Sequence, residues 1–432
     1  MVTSVIGKIF LEAYNARYGT SYSAKQFFLE IFYPLFFDSN KYLYWVQNSS
    51  FVQMKKGQKV ETLTKEERKE KLENFIEKIN SGVADASIAI GYPASEEKEY
   101  ATTSGQVSNL LFPISKEDIY YSWFGSALGV GVQGGISIFF YSVDILLDVY
   151  EGWKLYRKAI DSIDKLPGNK IMTWNGQWLS HRYSRFFNEI DNMSGFNPYT
   201  IKNGEFSIDT VSWTRILIGI AKKCSNKQMM GYVYSYGQTN TTIGFIPFDL
   251  SQIASPVNLY QRFFGMDSGH KAEKLWGTAI GFAKACQQGV IGFRAMEPKG
   301  LRDYIEKGKM PKLSDKEEQI ISFNVYQIWI MAMLNNQDLW DKAQEFASEL
   351  YRYSSNGTRA KTVNVNKVNR LLESTNKMNF MKSMVEIIED AECIENMKNI
   401  AFIINNMPTD NVPYFLTLIR FHYATFNNTK KK

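Results

Sequence analysis

The feature that most restricts the fold is a run of 25 residues without a charged side chain, Ile119 to Val143, which contains the stretch GVGVQGG. About 20 apolar residues can cross a bilayer. This run, however, holds five glycines, each of which costs roughly 1 kcal/mol in a helix relative to alanine. Its flanking residues are Asp118 and Asp144, not the lysines and arginines that orient a membrane helix. We therefore expect no membrane span.

Gly129, Gly131 and Gly134 also match the spacing of a dinucleotide-binding loop. That fingerprint follows a strand and opens a helix, whose N-terminus holds the pyrophosphate. Here the glycines run directly into ISIFFYS, which is typical of a strand. We predict instead two strands, YYSWFG and ISIFFYS, joined by a glycine-rich loop. Such a loop makes either a tight turn of the sheet or a close contact with a phosphate backbone.

The remaining sequence divides into a mixed region and a helical region. Residues 1–80 have mainly helical periodicity, and Thr64 with Glu67 forms a predicted capping box. Helices such as 144–163 and 271–287 then alternate with short strand-like runs. These runs are ADASIAIGYP, GISIFFYSV, GYVYSYGQ, TTIGFIPF and GVIGFRAM.

The composition changes after residue 312, where a series of helices follows to the end of the chain. Ser314 and Glu317 predict a second capping box, and IISFNVYQIWIMAML, residues 320–334, predicts a helix at the centre of a bundle. The fold class that we predict is α+β. Residues 1–312 form a mixed region with antiparallel sheet elements, and residues 313–428 form a C-terminal helical bundle.

Charge and composition favour a polyanionic partner without requiring one. The net charge is +6, and 15% of the residues are aromatic, which supplies flat rings for the core or for stacking on bases. Three widely spaced cysteines exclude a disulfide scaffold and a zinc finger. We expect no cofactor. We also expect a cytoplasmic location, because the first residues lack the apolar core of a secretory signal.

Residues for catalysis are few. The three histidines, His181, His270 and His422, are far apart, so the sequence predicts no histidine metal cluster. One nuclease-like fragment follows a strand-like run: Glu297 and Lys299 are spaced as E-x-K, with Asp249 as a distant acidic partner for a metal ion. A proline between the glutamate and the lysine argues against a strand there, and coincidence explains the spacing better.

Polar segments that mix amides, cations and aromatic rings are the better candidates for a binding site. Lysine and arginine reach phosphates, asparagine and glutamine pair with adenine, and tryptophan or tyrosine stacks on unpaired bases. We interpret NSSFVQMKKGQK (48–59), WNGQWLSHRYSR (174–185) and YSYGQTNTT (234–242) as loops of this kind. Their candidate contact residues are Asn48, Gln53, Lys55, Lys56, Lys59, Trp174, Asn175, Gln177, Arg182, Arg185, Gln238 and Asn240. The alternative is that these amides only cap strands and helices.

This arrangement of an α+β region followed by a helical bundle of about 110 residues resembles the large subunit of type I CRISPR effector complexes. The resemblance is architectural and covers the whole chain in outline. It implies that the N-terminal region reads a short duplex motif and holds the end of a guide RNA, and that the bundle lines the path of the DNA. By this resemblance, the 48–59 loop faces duplex DNA, and Lys361, Lys367 and Arg370 contact the backbone.

Our hypothesis is a non-catalytic, nucleic-acid-binding subunit of an antiviral ribonucleoprotein, in which the protein reads a short duplex motif and base pairing reads the rest. Its partners are guide RNA, duplex DNA and other subunits of the complex. One alternative is a metal-dependent nuclease of a prokaryotic defence system that uses Glu297 and Lys299. Another is a structural subunit that uses its aromatic surfaces only for assembly.

Overall fold

The chain forms two compact units, Met1–Phe248 and Asp249–Lys432. The computed structural model describes residues 2–47, 49–82, 88, 90, 114–224, 228–235, 241–265, 269–277, 279, 281–287, 289–355, 361–389 and 394–429. The first unit combines helices with two antiparallel sheets, and the second consists mainly of helices. The predicted α+β class is therefore confirmed. The predicted boundary between residues 312 and 313 lies inside the second unit.

The first unit contains the following helices among the described residues: α1 (Val2–Tyr18), α2 (Ala24–Phe27), α3 (Tyr33–Phe36), α4 (Lys65–Ser81), α5 (Lys116–Ala127), α6 (Val143–Ser162), α7 (Ile171–Arg182) and α8 (Trp213–Lys223). Its strands are β1 (Val130–Val132), β2 (Ile136–Phe140), β3 (Tyr199–Lys202), β4 (Glu205–Ile208), β5 (Gln228–Ser235) and β6 (Thr241–Asp249). A π-helical turn, Phe28–Phe32, joins α2 to α3.

Helix α5 corrects one prediction. The segment YYSWFG was expected to be a strand, but it lies within α5, which begins at a capping box made by Ser115 and Asp118. Helices α1 and α5 approach each other so closely that a Cβ atom on Gly125 would lie 1.9 Å from the Thr3 carbonyl oxygen. This packing against α1 decides the structure of the segment, because a short apolar run has no clear period of its own.

The larger sheet has the strand order β1-β2-β5-β6. Strand β2 was predicted correctly as ISIFFYS. It pairs antiparallel with β1 and with β5, so that Phe139 lies opposite Tyr232. The stretch GVGVQGG contains β1, and its last three residues form the turn to β2, where Gly134 and Gly135 have positive φ angles of 93° and 69°. The tight-turn interpretation is the one that the structure adopts.

Helix α4 begins as its sequence predicts. The Thr64 hydroxyl accepts a hydrogen bond from the Glu67 amide, and the Glu67 carboxylate accepts one from the Thr64 amide. Phe75 and Ile79, one helical turn apart on α4, are buried against the core. The opposite face of α4 carries mixed charges and is exposed.

In the second unit, the described helices are α9 (Leu250–Phe264), α10 (Gly269–Ala272), α11 (Phe282–Cys286), α12 (Leu301–Glu306), α13 (Glu317–Leu334), α14 (Asp338–Ser355), α15 (Lys361–Leu372), α16 (Lys377–Ile388), α17 (Ile394–Asn406) and α18 (Val412–Thr429). The predicted central helix is α13, which is buried on nearly all sides. It packs against α9 and α18.

Three further predictions for this unit were wrong. The helix expected at 271–287 is interrupted, because Gly277 and Gly281 have positive φ angles that a helix cannot contain. The strand-like run GVIGFRAM forms instead a 3₁₀ turn at Phe293–Met296. The second capping box does not form: the Ser314 hydroxyl accepts from the Lys316 amide in a local turn, and α13 begins without a side-chain cap.

Candidate nucleic-acid interface

One face of the larger sheet carries a series of aromatic and apolar side chains on neighbouring strands. Successive residues of a strand point to opposite faces, so the register places Phe139, Tyr232 and Tyr234 on the same face. Met230 also lies on this face, because it is two residues from Tyr232 along β5. Tyr141, two residues after Phe139, lies opposite Met230 and donates its amide to the Met230 carbonyl. We call the accessible part of this face the aromatic sheet face, which consists of Tyr141, Met230, Tyr232, Tyr234 and Phe245.

The rings of the aromatic sheet face are close together. The centroids of Tyr232 and Phe245 are 5.2 Å apart. Those of Tyr232 and Tyr234 are 6.4 Å apart, with an angle of 25° between the ring planes. The Tyr232 hydroxyl lies 2.9 Å from the Thr242 hydroxyl, which fixes the ring near the β5–β6 end of the sheet. These contacts make a continuous surface across two strands.

Exposure separates this face from the other face of the sheet. Phe245 is 65% exposed and Tyr141 62%, while Tyr232 and Tyr234 are half-buried. On the opposite face, Ile138, Val233 and Phe248 are buried in the core. Burial raises the pKa of Tyr234 above its usual value, so its phenol is neutral at physiological pH. Neutral, exposed rings of this kind can stack on bases or cover an apolar partner.

The loop predicted at 234–242 connects the two strands of this face. Gln238 and Asn240 lie outside the residues that the structure describes. Strand β5, which ends at Ser235, and strand β6, which begins at Thr241, are described on either side of them. The prediction that amides near this hairpin contact a ligand stays a prediction.

The loop predicted at 48–59 forms one wall of a cleft of about 500 Å³, and α4 forms the other wall. Gln53 and Lys55, two of the predicted contact residues, border this cleft. The Lys55 ammonium is paired with the Glu70 carboxylate at 2.8 Å. Lys56 and Lys59 are exposed beside it. Asn48 lies outside the described residues.

The segment 174–185 differs from its prediction, because residues 174–182 belong to helix α7 and not to a loop. Trp174 and Asn175 are completely buried. The Trp174 indole donates to the Gly152 carbonyl at 2.7 Å, and the Asn175 amide donates to the carbonyls of Ala127 and Gly129, both at 2.8 Å. These two side chains hold α7 to its neighbours and present no surface to a ligand.

The other candidates of this segment are more accessible, but two of them have structural partners. The Gln177 amide donates to the Asp209 carbonyl at 2.6 Å. The Arg182 guanidinium is paired with Asp148 at 3.1 Å and with Glu189 at 3.0 Å. Arg185 is exposed, and its guanidinium lies over the Phe186 ring, 4.6 Å from the centroid.

The candidates of the C-terminal bundle all lie on helix α15. The Lys367 ammonium donates to the Glu386 carbonyl at 2.8 Å, and the Arg370 guanidinium is paired with the Glu386 carboxylate at 3.0 Å. These contacts join α15 to α16. The side chain of Lys361 lies outside the description, although its backbone begins the helix. A role for the three residues in contacting a nucleic-acid backbone stays a prediction.

Comparisons with known proteins give no relative. No protein-family model, no curated protein and no solved structure matches this chain.

The residues of the nuclease alternative have structural partners of their own. Glu297 is buried, and its carboxylate is paired with the Arg302 guanidinium at 2.7 Å. Burial raises the pKa of Glu297, and the arginine opposes this rise. The Asp249 carboxylate accepts from the Gln252 amide at 3.1 Å and so caps α9. Among the described residues, no group of three or more histidine, cysteine, aspartate or glutamate side chains is arranged to hold a metal ion.

The aromatic sheet face was not predicted, although the sequence contains a pattern that indicates it. In GYVYSYGQ, tyrosines alternate with small or β-branched residues, which indicates a strand with one aromatic face. The run was used to predict a strand, and only the amides beyond it were selected as contacts. Tyr232, Tyr234 and Phe245 are therefore additions that come from the structure.

Proposed function

We propose that this protein binds nucleic acid and that the aromatic sheet face stacks on unpaired bases. The observation that carries the proposal is the group of accessible rings on adjacent strands, with Tyr232 and Phe245 5.2 Å apart and Phe245 65% exposed. A sheet that presents aromatic rings to unpaired bases is a recurrent way of binding single-stranded nucleic acid. The sequence that links β5 to β6 contains Gln238 and Asn240, which we include among the proposed contact residues.

Charge supports the same proposal. The chain has a net charge of +6, and phosphate contacts by lysine and arginine release counterions from a nucleic acid. Lys56 and Lys59 are exposed in the 48–59 loop. We expect binding to weaken as the salt concentration rises, with a logarithmic slope that reflects the number of phosphates contacted.

We further propose that the protein acts as a non-catalytic subunit of a CRISPR-type antiviral ribonucleoprotein. In this role it would recognise a short duplex DNA motif and support the pairing of guide RNA with its target. The support is the architectural resemblance given above and the order of the two regions, with mixed helices and sheets first and a helical series second. The proposed partners are guide RNA, duplex DNA and other subunits of the complex.

Fluorescence anisotropy with labelled single-stranded oligonucleotides tests the first proposal. One stacked ring contributes about 1–3 kcal/mol per base, so Phe245→Ala should weaken binding roughly 5- to 150-fold. Tyr232→Ala should act in the same direction. Phe402→Ala is the matched control, because Phe402 is 68% exposed but lies on α17 in the second unit. If the two sheet variants bind as the unaltered protein does, the aromatic sheet face is not the binding surface.

Affinity purification from a host that expresses the neighbouring genes tests the second proposal. Uniform small RNAs with a common end, together with further protein subunits, are the expected result. A protein that purifies without nucleic acid and without partners would contradict a stable ribonucleoprotein complex. It would leave the first proposal to be decided by the binding assay on the purified chain.

A further inference from the structure

Helix α16 has two apolar sides. One side is buried in the second unit and consists of Phe380, Met384 and Ile387. The other side, which we call the outer stripe, consists of Met378, Met381, Val385 and Ile388. Met378 is 63% exposed and Val385 56%, while Met381 and Ile388 are half-buried. The outer stripe is therefore open to solvent.

The spacing of the outer stripe is that of a helix that pairs with another helix. Its residues follow each other at intervals of three, four and three, which places them on one side of a helix with 3.6 residues per turn. The same intervals separate the a and d positions of a coiled coil. A surface helix with one buried side normally carries polar residues elsewhere, and grouped apolar residues at the surface mark interaction sites.

Contacts with the neighbouring helices show where the outer stripe lies. The Lys377 ammonium donates to the Asn405 carbonyl at 2.7 Å, so the side of α16 that carries Lys377 borders α17. The Glu386 carboxylate is paired with Arg370 at 3.0 Å, so the side that carries Glu386 borders α15. At about 100° per residue, Val385 lies between these two sides. The outer stripe thus faces away from both neighbouring helices.

Two lysines flank the outer stripe. With Met378 at position a of a heptad, Lys377 is at g and Lys382 is at e, the positions on either side of the apolar seam. Lys382 is exposed. The Glu386 carboxylate is engaged by α15, and Glu389 follows only at the C-cap. A partner with acidic side chains beside its apolar residues complements this surface.

The same lysines disfavour a second copy of this chain as the partner. In a parallel pair, Lys377 of one copy would meet Lys382 of the other, because g positions lie opposite e positions. In an antiparallel pair, the two-fold axis would pass between Met381 and Val385, so Lys382 would meet its own symmetry copy. Both arrangements bring like charges together at the edge of a small apolar contact.

We propose that the outer stripe binds an amphipathic helix of another protein, with acidic residues of that helix beside Lys377 and Lys382. A helix of about three turns covers the stripe, which is roughly 15 Å long. The proposal goes beyond the binding of nucleic acid. Its residues belong to the second unit and the aromatic sheet face to the first, so each proposal can fail without the other.

Fluorescence anisotropy with two labelled synthetic peptides tests the proposal on the full chain. Both peptides are amphipathic helices with leucine at a and d, and they differ only in carrying glutamate or lysine at e and g. Neither peptide pairs well with itself, because its flanking charges repel. The glutamate peptide should bind at least tenfold more tightly than the lysine peptide. If neither peptide binds, or if the lysine peptide binds as tightly, the proposal is overturned.

A matched pair of variants connects the binding to the outer stripe. Val385→Asp places a charge in the apolar contact and should weaken the glutamate peptide at least tenfold. Val363→Asp is the control, because Val363 is also 56% exposed but lies on α15. It adds the same charge to the same unit and should leave the affinity unchanged. Equal weakening by both variants would show that the peptide is held only by the net charge of the protein.

Lys382→Glu gives a second test that does not disturb an apolar side chain. It turns an attractive flanking pair into a repulsive one, so it should narrow the preference for the glutamate peptide about threefold or more. An unchanged preference would refute the flanking role of Lys382. Sedimentation of the chain without peptide tests the alternative partner: a dimer that Val385→Asp converts to a monomer would assign the outer stripe to a second copy and overturn the proposal.

Discussion

Burial of His422 should make the second unit less stable as the pH falls. This residue lies in α18, is 5% exposed and has no hydrogen-bond partner for its Nε2 atom among the described residues. Its ring meets the Trp340 ring edge-to-face, with centroids 4.5 Å apart. Burial disfavours the charged imidazole and lowers the pKa of His422 from 6.5 to about 4.

The direction of the effect follows from the two pKa values. Above pH 6.5 the imidazole is neutral in the folded and unfolded chain, so its contribution to stability is fully present. As the pH falls towards 4, the unfolded chain binds a proton that the folded chain does not, and the free energy of unfolding decreases. With these pKa values, lowering the pH from 7 to 5 should remove about 2 kcal/mol, and the full loss at lower pH approaches about 3 kcal/mol.

Urea unfolding followed by circular dichroism at pH 7 and pH 5 measures this loss. The comparison is with His422→Phe, which keeps a ring against Trp340 and removes the titrating group. Other groups titrate in both proteins, so their effects cancel in the difference. The unaltered protein should lose about 2 kcal/mol more than the variant between the two pH values. An equal loss in both proteins would show that His422 does not remain neutral in the folded chain.

Two further predictions concern packing and buried polarity. Gly125→Ala should destabilise the first unit, because the Cβ atom of the alanine would lie 1.9 Å from the Thr3 carbonyl oxygen, and this clash outweighs the helix preference of alanine of about 1 kcal/mol. An unchanged or higher midpoint of thermal unfolding would contradict this packing. Arg420→Met should lower the free energy of unfolding, measured in urea, by about 3 kcal/mol or more, because the buried guanidinium donates to the carbonyls of Leu372, Ser374 and Tyr304. An unchanged unfolding midpoint would contradict these hydrogen bonds.

Local sequence patterns predicted the structure correctly where the side chains of a segment make the hydrogen bonds that its own backbone needs. The box of Thr64 and Glu67 predicted the start of α4, and both of its hydrogen bonds are present. The same pattern at Ser314 and Glu317 failed, because the serine hydroxyl bonds two residues ahead and makes a turn instead. A capping pattern states which bonds are possible, and the chain before the helix decides whether they form.

Long-range packing explains the errors that mattered for the site. Trp174 and Asn175 have the composition of a binding loop, yet both are buried, and their side-chain N–H groups donate to backbone carbonyls of other elements. Tryptophan and asparagine are equally suited to contact a base or to satisfy a buried carbonyl. Residue type alone cannot separate these roles, because the difference lies in which distant backbone the side chain meets.

The aromatic sheet face is a second case in which the sequence does not show which side chains are buried. The period of two in GYVYSYGQ shows which side chains share a face, but it does not show whether another element covers that face. Phe139 and Tyr232 lie opposite each other on adjacent strands, yet Phe139 is 2% exposed and Tyr232 is half-exposed. Coverage thus changes within one strand spacing, and it leaves accessible the rings of Tyr232, Tyr234 and Phe245 on β5 and β6, together with Tyr141 after the end of β2. Because stacking on a base requires an uncovered ring, the nucleic-acid contact that we propose is confined to this accessible part of the sheet.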